Sequence, residues 1–491
     1  MVAKFHLGVS TMRKILITLA ALVATSNVSS MARNLNAAEL PNIILCMADD
    51  QGWGDVGYYG KSPVKTPVLD EMAAAGLRFD RFYAAAPVCS PTRASVLTGR
   101  HPNRTAVFKW GHPLRPQETT IAEALKKAGY ITGHFGKWHL GSCRADSPVC
   151  PGNSGFDEWL SAPNFYENDS LMSHNGTVIQ TKGESSQLAV DYALDFMKEA
   201  KKQDKPFIAV VWFGSPHSPH IAAKKFLDMY KDFPKAHANF LGEVTGIDAA
   251  VGNLRTSIRE MGIADNTLLW YTSDNGALPK VGSTGGLSGK KGNLLEGGIR
   301  VPAIIEWPAV VKKHRKIDLV CNTTDIYPTL LELTGVKVDR QPVLDGRSIL
   351  PLIRDQKFDG HKEYGFWDYP IGGRGMHADR MLAAQKVEAD AGQPKPWHEV
   401  EPDPSKVGGY AEDKRPGPAA WIDGNFKLHR TASKTGEEGV RYMLYDLSTD
   451  VVEKHDLSKA QPERLEAMKR KLLAWQQSVI GSLNGEDYVA E

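Results

Sequence analysis

The sequence predicts the α/β class: a large mixed, mostly parallel sheet sandwiched by helices, with a smaller α+β subdomain at the C-terminus. Three observations predict it. Short, almost wholly apolar runs alternate with helical segments from residue 42 to residue 335, the pattern of buried parallel strands joined by helices. From Asp368 to Ala419 periodicity is lost and Gly, Pro and charged residues accumulate. Order then returns in two short strand-like runs and one amphipathic helix. With 491 residues the chain is long enough for one large domain and a smaller one.

Taken in order, Asn42 to Met47 (NIILCM) is apolar, carries two β-branched residues, and is bounded by Pro41 and the acids Asp49 and Asp50, so it predicts a buried parallel strand. Thr66 to Gly76 predicts a helix ended by glycine. Thr120 to Gly129 predicts a helix opened by the reciprocal pair Thr120 and Glu123. Ser186 to Lys201 is an amphipathic helix. Pro206 to Phe213, Asn266 to Thr272 and Pro302 to Trp307 are further buried strands, and Asp325 to Gly335 is a helix. The 368–419 segment is expected as a loop-rich insertion, and long loops are commonly functional. Ala420 to Leu428 and Arg441 to Leu447 predict antiparallel strands. Leu465, Met468, Leu472, Trp475 and Val479 then recur at spacings that line one face of a terminal helix.

The N-terminus follows a different pattern. Arg13 and Lys14 precede the apolar run Ile15 to Ala24, and a small, polar stretch runs from Thr25 to Met31. This is a secretory signal layout, with Met12 as an alternative start, and the apolar run is too short to span a bilayer comfortably. The expected division is 1–37 signal peptide and upstream extension, 38–367 main domain, 368–419 insertion and 420–491 C-terminal subdomain. Export to the periplasm or the exterior is expected, or the secretory and lysosomal route in a eukaryote, with no stable membrane insertion. The formal net charge of +2 carries no broad basic field, so nucleic acid is not an expected partner. The five cysteines are Cys46, Cys89, Cys143, Cys150 and Cys321. An odd count leaves a thiol over. Cys143 and Cys150 share one loop and are candidates to pair, Cys46 sits in an apolar run, and Cys89 is the natural odd one.

In an open α/β sheet, ligands bind outside the carboxyl ends of the strands. Asp49 and Asp50, His217, and Asp274 and Asn275 each follow a predicted strand, so the fold is expected to bring them to one rim. The set Asp49, Asp50, Asp274 and Asn275 offers only oxygen and suits a hard cation, Ca²⁺ or else Mg²⁺. No His/Cys cluster has zinc spacing. Cys89 is expected at a helix start, because Pro91 suits a first turn, where free N–H groups and the helix dipole favour an anion.

The run from Cys89 through Pro91 and Arg93 to Thr98-Gly99-Arg100 resembles the C-x-P-x-R…TGR signature of the type I sulfatases. Other segments resemble the same family. Ala48 to Asp55 (ADDQGWGD) and Ser273 to Gly276 (SDNG) match its metal ligands at Asp49, Asp50, Asp274 and Asn275. Gly136 to Gly141 (GKWHLG) matches at Lys137 and His139, and His217 falls on its H-x-P element. Lys290 to Pro302 resembles K-G-x-x-x-E-G-G-x-R-x-P, which assigns the sulfate-binding lysine to Lys291. Asp325 to Leu330, Leu344 to Ser348 and Leu444 to Leu447 resemble framework segments. The resemblance covers most of 40–365 and returns at 420–460, departing at Val451-Val452. The 155–164 region looks most like the arylsulfatase A and N-acetylgalactosamine-6-sulfatase branch.

The resemblance implies an alkaline phosphatase-like fold and hydrolysis of sulfate monoesters. It implies that a maturation enzyme, formylglycine-generating or anaerobic, oxidises Cys89 to formylglycine. The hydrated aldehyde would attack sulfur, and Cys89 would itself join the metal ligands. Arg93, Lys137, His139, His217 and Lys291 would complete the catalytic set, and the substrate would be a sulfated carbohydrate or an aryl sulfate. Lys137 and His139 alternate along an expected extended segment, which would aim both at one face. Glu296 and Arg300 are expected as a structural pair and His220 as a rim residue. Two alternatives stand beside this reading: a phosphodiesterase or phosphonate hydrolase of the same superfamily, and a non-catalytic sulfoglycan-binding protein. Substrate choice is expected to lie in Asn164–Asn175 and in the 368–419 insertion.

Overall fold

The computed structural model describes residues 40–358, 363–431 and 439–488. The signal layout predicted at 1–37 lies outside the described residues. The larger sheet is built from β1 (Asn42–Ala48), β2 (Leu77–Tyr83), β3 (Ile131–Lys137), β4 (Glu158–Ala162), β5 (Leu171–His174), β6 (Thr177–Gln180), β7 (Phe207–Trp212), β8 (Thr267–Ser273), β9 (Arg300–Glu306), β10 (Arg315–Ile317) and β11 (Cys321–Asn322). Among the described residues its order is β10-β2-β9-β8-β1-β7-β3-β4-β5-β6, with β11 on the edge of β2. The centre, β8-β1-β7-β3-β4, is parallel throughout. β9 runs antiparallel to both β8 and β2, so β2 points the same way as β8 and β1.

This topology creates the site. The carboxyl ends of β8, β1, β7, β3, β4 and β2 all emerge on one edge of the sheet, and the chain enters β9 from that same edge. The central strands are apolar because both faces are covered. Ile44, Cys46 and Ala48 of β1, with Ala209 and Val211 of β7, pack against Ala193 and Met197 of helix Ser185–Lys202 and Ala250 and Leu254 of helix Lys235–Glu260. Helix Cys89–Thr98 packs with helices Ile121–Lys126 and Ile326–Thr334. The reciprocal cap at Thr120 forms as predicted: its Oγ1 accepts from Glu123 N at 3.2 Å, and Glu123 Oε2 accepts from Thr120 N at 2.7 Å.

The second sheet is antiparallel: β12 (Glu363–Trp367), β13 (Ala419–Asp423), β14 (Phe426–Arg430) and β15 (Tyr442–Asp446). Its core joins Leu428 and Leu444 to Met468, Leu472 and Val479 of helix Pro462–Leu483. Two expectations change here. The run Ala420–Leu428, expected as one strand, folds as a hairpin turning at Gly424-Asn425. The small sheet also takes its first strand from Glu363–Trp367, so 368–419 is an excursion between neighbouring strands, and the sheet begins before the expected boundary at 420. That excursion carries helix Ala378–Asp390, which the sequence reading left as loop. From Pro41 onward the described residues belong to one unit, with no break at 367. No helix among them is long and apolar enough to cross a membrane. Cys143 and Cys150, the candidate pair, are two buried, separate thiols.

The two sheets are tied by buried charge. Lys427 Nζ of β14 lies 2.9 Å from Glu296 Oε1 and 3.0 Å from Glu453 Oε1, with all three side chains fully buried. Glu296 also accepts from Tyr83 OH at 2.8 Å and lies 3.4 Å from Arg300, the pair expected from sequence. Glu453 accepts from Glu296 N at 2.8 Å. Removing one partner of such a group strands the others without compensation. Lys427→Met is therefore expected to cost about 3–5 kcal/mol of folding stability. Urea unfolding followed by tryptophan fluorescence measures this, and a loss of less than about 1 kcal/mol contradicts the account.

Candidate active site

Cys89 opens helix Cys89–Thr98, with Val88 in extended conformation as its cap, so residue 89 sits among the free N–H groups of a first turn. The thiol is buried at the rim where β1, β8 and β3 end. One turn along, Arg93 is fully buried: Nη2 donates to Asp274 Oδ2 at 2.8 Å and Nη1 to the Lys137 carbonyl at 3.0 Å. Its guanidinium lies over the Trp212 ring at 5.1 Å, a stacking surface at the end of β7 that the sequence reading did not single out.

The predicted acids come together, in two groups. One ligand atom each from Asp49, Cys89 and Asp274 lie within 4.8 Å of one another. Asp50 stands beside them and is engaged elsewhere: Lys291 Nζ reaches its two oxygens at 2.6 and 2.7 Å, and Asn275 Nδ2 donates to Oδ1 at 2.8 Å. Asp50 N donates to Asp274 Oδ1 at 3.0 Å, linking the two groups. Lys137 Nζ donates to Asp49 Oδ2 at 2.6 Å. His217 Nε2 lies 3.7 Å from Asp50 Oδ2, and its ring stacks on Phe165 at 4.6 Å. All ten residues predicted for the site thus sit at one edge of the sheet.

His139 corrects the reasoning that led to it. β3 ends at Lys137, and His139 has φ +58°, a left-handed conformation outside the strand. Strand alternation does not aim it at the site; the turn after the strand does. Asp50, at φ +75°, likewise follows β1 through a left-handed step. His220, expected at the rim, is turned inward onto Glu243, with 3.2 Å from Nδ1 to Oε2. Lys290 is exposed while Lys291 reaches Asp50, as the spacing to Glu296 implied.

Several buried polar atoms have no hydrogen-bond partner: Asp49 Oδ1, Asn275 Oδ1, Arg93 Nε and both ring nitrogens of His139. Buried polar groups are normally satisfied, so a cluster of orphans marks a place for a ligand. A buried Asp/Cys/Asp cluster flanked by unpartnered oxygens fits a metal ion.

Electrostatics divides the acids. Burial alone would raise the Asp50 carboxyl, but the charges of Lys291, His217 and Lys137 hold it well below the usual range. Asp274 is pushed up to about 7 by burial and by Asp49, against the pull of Arg93. Burial raises the Cys89 thiol despite Lys137 and Lys291. Lys291 is raised by Asp50 against the effect of burial. Burial lowers His217 to about 3, and burial with the Lys137 and Arg93 charges holds His139 far below its ordinary value.

Fold and site together define an alkaline phosphatase-like α/β protein: a mostly parallel sheet flanked by helices, with an acid-rich centre at the carboxyl edge and an antiparallel subdomain beside it. The sulfatase family pattern matches residues 41–336, and the chain belongs to the sulfatase family. It is 32% identical to arylsulfatase A of Homo sapiens over 487 residues, covering 90% of this chain and 89% of that one. It is 35% identical to N-acetylgalactosamine-6-sulfatase of Rattus norvegicus over 356 residues, 65% of this chain and 66% of the relative, just under two thirds of its length. The crystal structure of Ps i-CgsB superposes with a TM-score of 0.74 at 25% identity, covering 91% of this chain and 94% of that one.

Proposed function

We propose that the protein is a sulfuric ester hydrolase that releases inorganic sulfate from a sulfate monoester, with formylglycine made from Cys89 as the group that meets the ester. The observation that carries this reading is Cys89 in the first turn of a buried helix, beside a centre where Arg93, Lys137 and Lys291 each pair with a buried carboxylate. Cationic groups fixed in a dry site stabilise the charge that redistributes on sulfate as its ester bond breaks.

Asp49, Asp50, Asp274, Asn275 and the oxygen borne by residue 89 would hold the metal. The side-chain oxygen set favours Ca²⁺, with Mg²⁺ as the second choice. Bound there, the cation neutralises charge on the sulfate oxygens. Formylglycine supplies two hydroxyls on one carbon in place of a thiol. The chain's own residues do the rest. Lys137 and Lys291 hold the sulfate oxygens, and Asp274 takes a proton from one hydroxyl of residue 89. Lys291 protonates the leaving oxygen, with neutral His217 beside it, and His139 takes a proton from the second hydroxyl as sulfate departs. Arg93 holds Asp274 in place from below.

The substrate is a sulfated carbohydrate, with aryl sulfates as small surrogates. The name of the rat relative, N-acetylgalactosamine-6-sulfatase, supports a sugar. Conversion of Cys89 requires a maturation enzyme, formylglycine-generating or anaerobic, acting during export.

Two outcomes test the reading. Cys89→Ser keeps one hydroxyl and lacks the second, so it should become sulfated once and lose about 10²-fold or more in steady-state turnover. Intact-mass analysis together with aryl sulfate kinetics reads both, and sustained multiple turnover by this variant sinks the mechanism. Dialysis against a chelator should remove about one Ca²⁺ per chain and abolish hydrolysis, and added Ca²⁺ should restore it. In Asp49→Ala, elemental analysis should find the ion largely missing, and full metal content in that variant contradicts the ligand set.

A further inference from the structure

The segment 368–377 is fastened round the mouth of the site from both sides. On one side Gly111 N donates to Ser90 Oγ at 2.9 Å, which places the 109–112 loop against the residue next to Cys89. That loop holds the segment: Lys109 pairs with Asp368, the Trp110 carbonyl accepts from Arg374 N at 2.9 Å, and a His112 ring nitrogen lies 2.9 Å from the Gly372 carbonyl. The Trp110 ring rests on Gly373, where an added Cβ would meet it at 2.2 Å. On the other side Asn164, two residues past the end of β4, donates to the Met376 carbonyl at 2.7 Å. Its neighbour Phe165 stacks on His217, which lies against Asp50. The contacts therefore run in a ring from Cys89 through Trp110, Arg374, Met376, Asn164 and His217 to Asp50.

Two side chains on this ring are left over. Trp110 is 45% exposed. Arg374 is exposed and has no ion-pair partner among the described residues; the nearby acid Asp368 is taken by Lys109. Resting on the sulfatase reading above, we propose that Trp110 and Arg374 form a subsite for the leaving-group side of the substrate, and that the substrate class is an anionic glycan: a sulfated sugar whose neighbour carries a second negative group, a carboxylate or another sulfate. The indole offers an apolar face to a sugar ring and the guanidinium offers forked donors to the anion. Both belong to the loop and segment whose contacts reach Ser90 on one side and Asn164 on the other.

The test uses the mature, full-length enzyme and two sulfated disaccharides that differ only in the neighbouring sugar, one a uronate and the other its neutral counterpart. The wild type should favour the uronate in kcat/KM. Arg374→Gln should cut the ratio of anionic to neutral kcat/KM about tenfold, the strength of a hydrogen bond to a charged group, with the loss in KM. Trp110→Ala should weaken both disaccharides. A ratio unchanged within about twofold in Arg374→Gln overturns the subsite while sulfate release from the neutral disaccharide leaves the sulfatase reading intact. Absence of sulfate release from every ester tested overturns that reading and the subsite with it.

Discussion

The constraint on which the rest of this structure depends is buried charge. Asp49, Asp50 and Asp274 are fully buried, and each faces a cation that is buried or nearly so: Lys137, Lys291 and Arg93. Removing such groups from water costs several kcal/mol per ion, and pairing offsets this only where geometry is fixed. The sheet supplies that geometry. Parallel strands end together at one edge, so residues 49, 137 and 274 meet although they are far apart in sequence. Antiparallel β9 starts from the edge at which β8 ends, so the 274–299 loop between them stays there, which is how Lys291 arrives opposite Asp50. The three acids and three cations balance among themselves. A bound dication would therefore leave a positive excess, suited to an anionic ester.

The same constraint explains what was legible in the sequence. Charged residues directly after apolar runs, as at Asp49-Asp50 and Asp274-Asn275, are poorly placed for anything but the rim of a sheet, and the motif around Cys89 fixed its helix. The central strands β1, β7 and β8 were readable because burial on both faces makes them continuously apolar. β2 (LRFDRFY) and β3 (ITGHFGK) were not, because charge and glycine interrupt them. β2 lies toward the edge of the sheet, and the β3 glycines make room for neighbours. At Gly136 an added Cβ would lie 1.9 Å from the Trp212 carbonyl. The longest helix, Lys235–Glu260, was missed for a related reason. Its glycines lower helix propensity, yet Gly242 packs on Ala222 and Gly252 on Val68, where an added Cβ would come within 2.7 and 2.9 Å. Tertiary approach overrode the local signal. His139, singled out by resemblance, is not positioned by the expected periodicity, because one left-handed residue ends the alternation that an extended segment would have imposed.

The site divides by chemistry as well as by sequence. Every residue that faces the proposed sulfate or its metal lies within 41–336, the stretch matched by the sulfatase family. A sulfate group has one shape and one charge pattern, so its cradle admits little variation. Of the two residues that would meet the leaving group, Trp110 lies inside that stretch, and Arg374 lies outside it, on an excursion between β12 and β13. Excursions from a sheet tolerate change because their ends are held by strands already paired. Lys427 and Glu453 also lie outside it, and they anchor Glu296, five residues after Lys291. The small sheet therefore has two separable effects on the site: through Lys427 it steadies the loop that delivers Lys291, and through 368–377 it shapes the mouth. The first depends on complete burial and resists substitution. The second depends on exposed side chains, and there a change of substrate needs no change in the centre that breaks the ester.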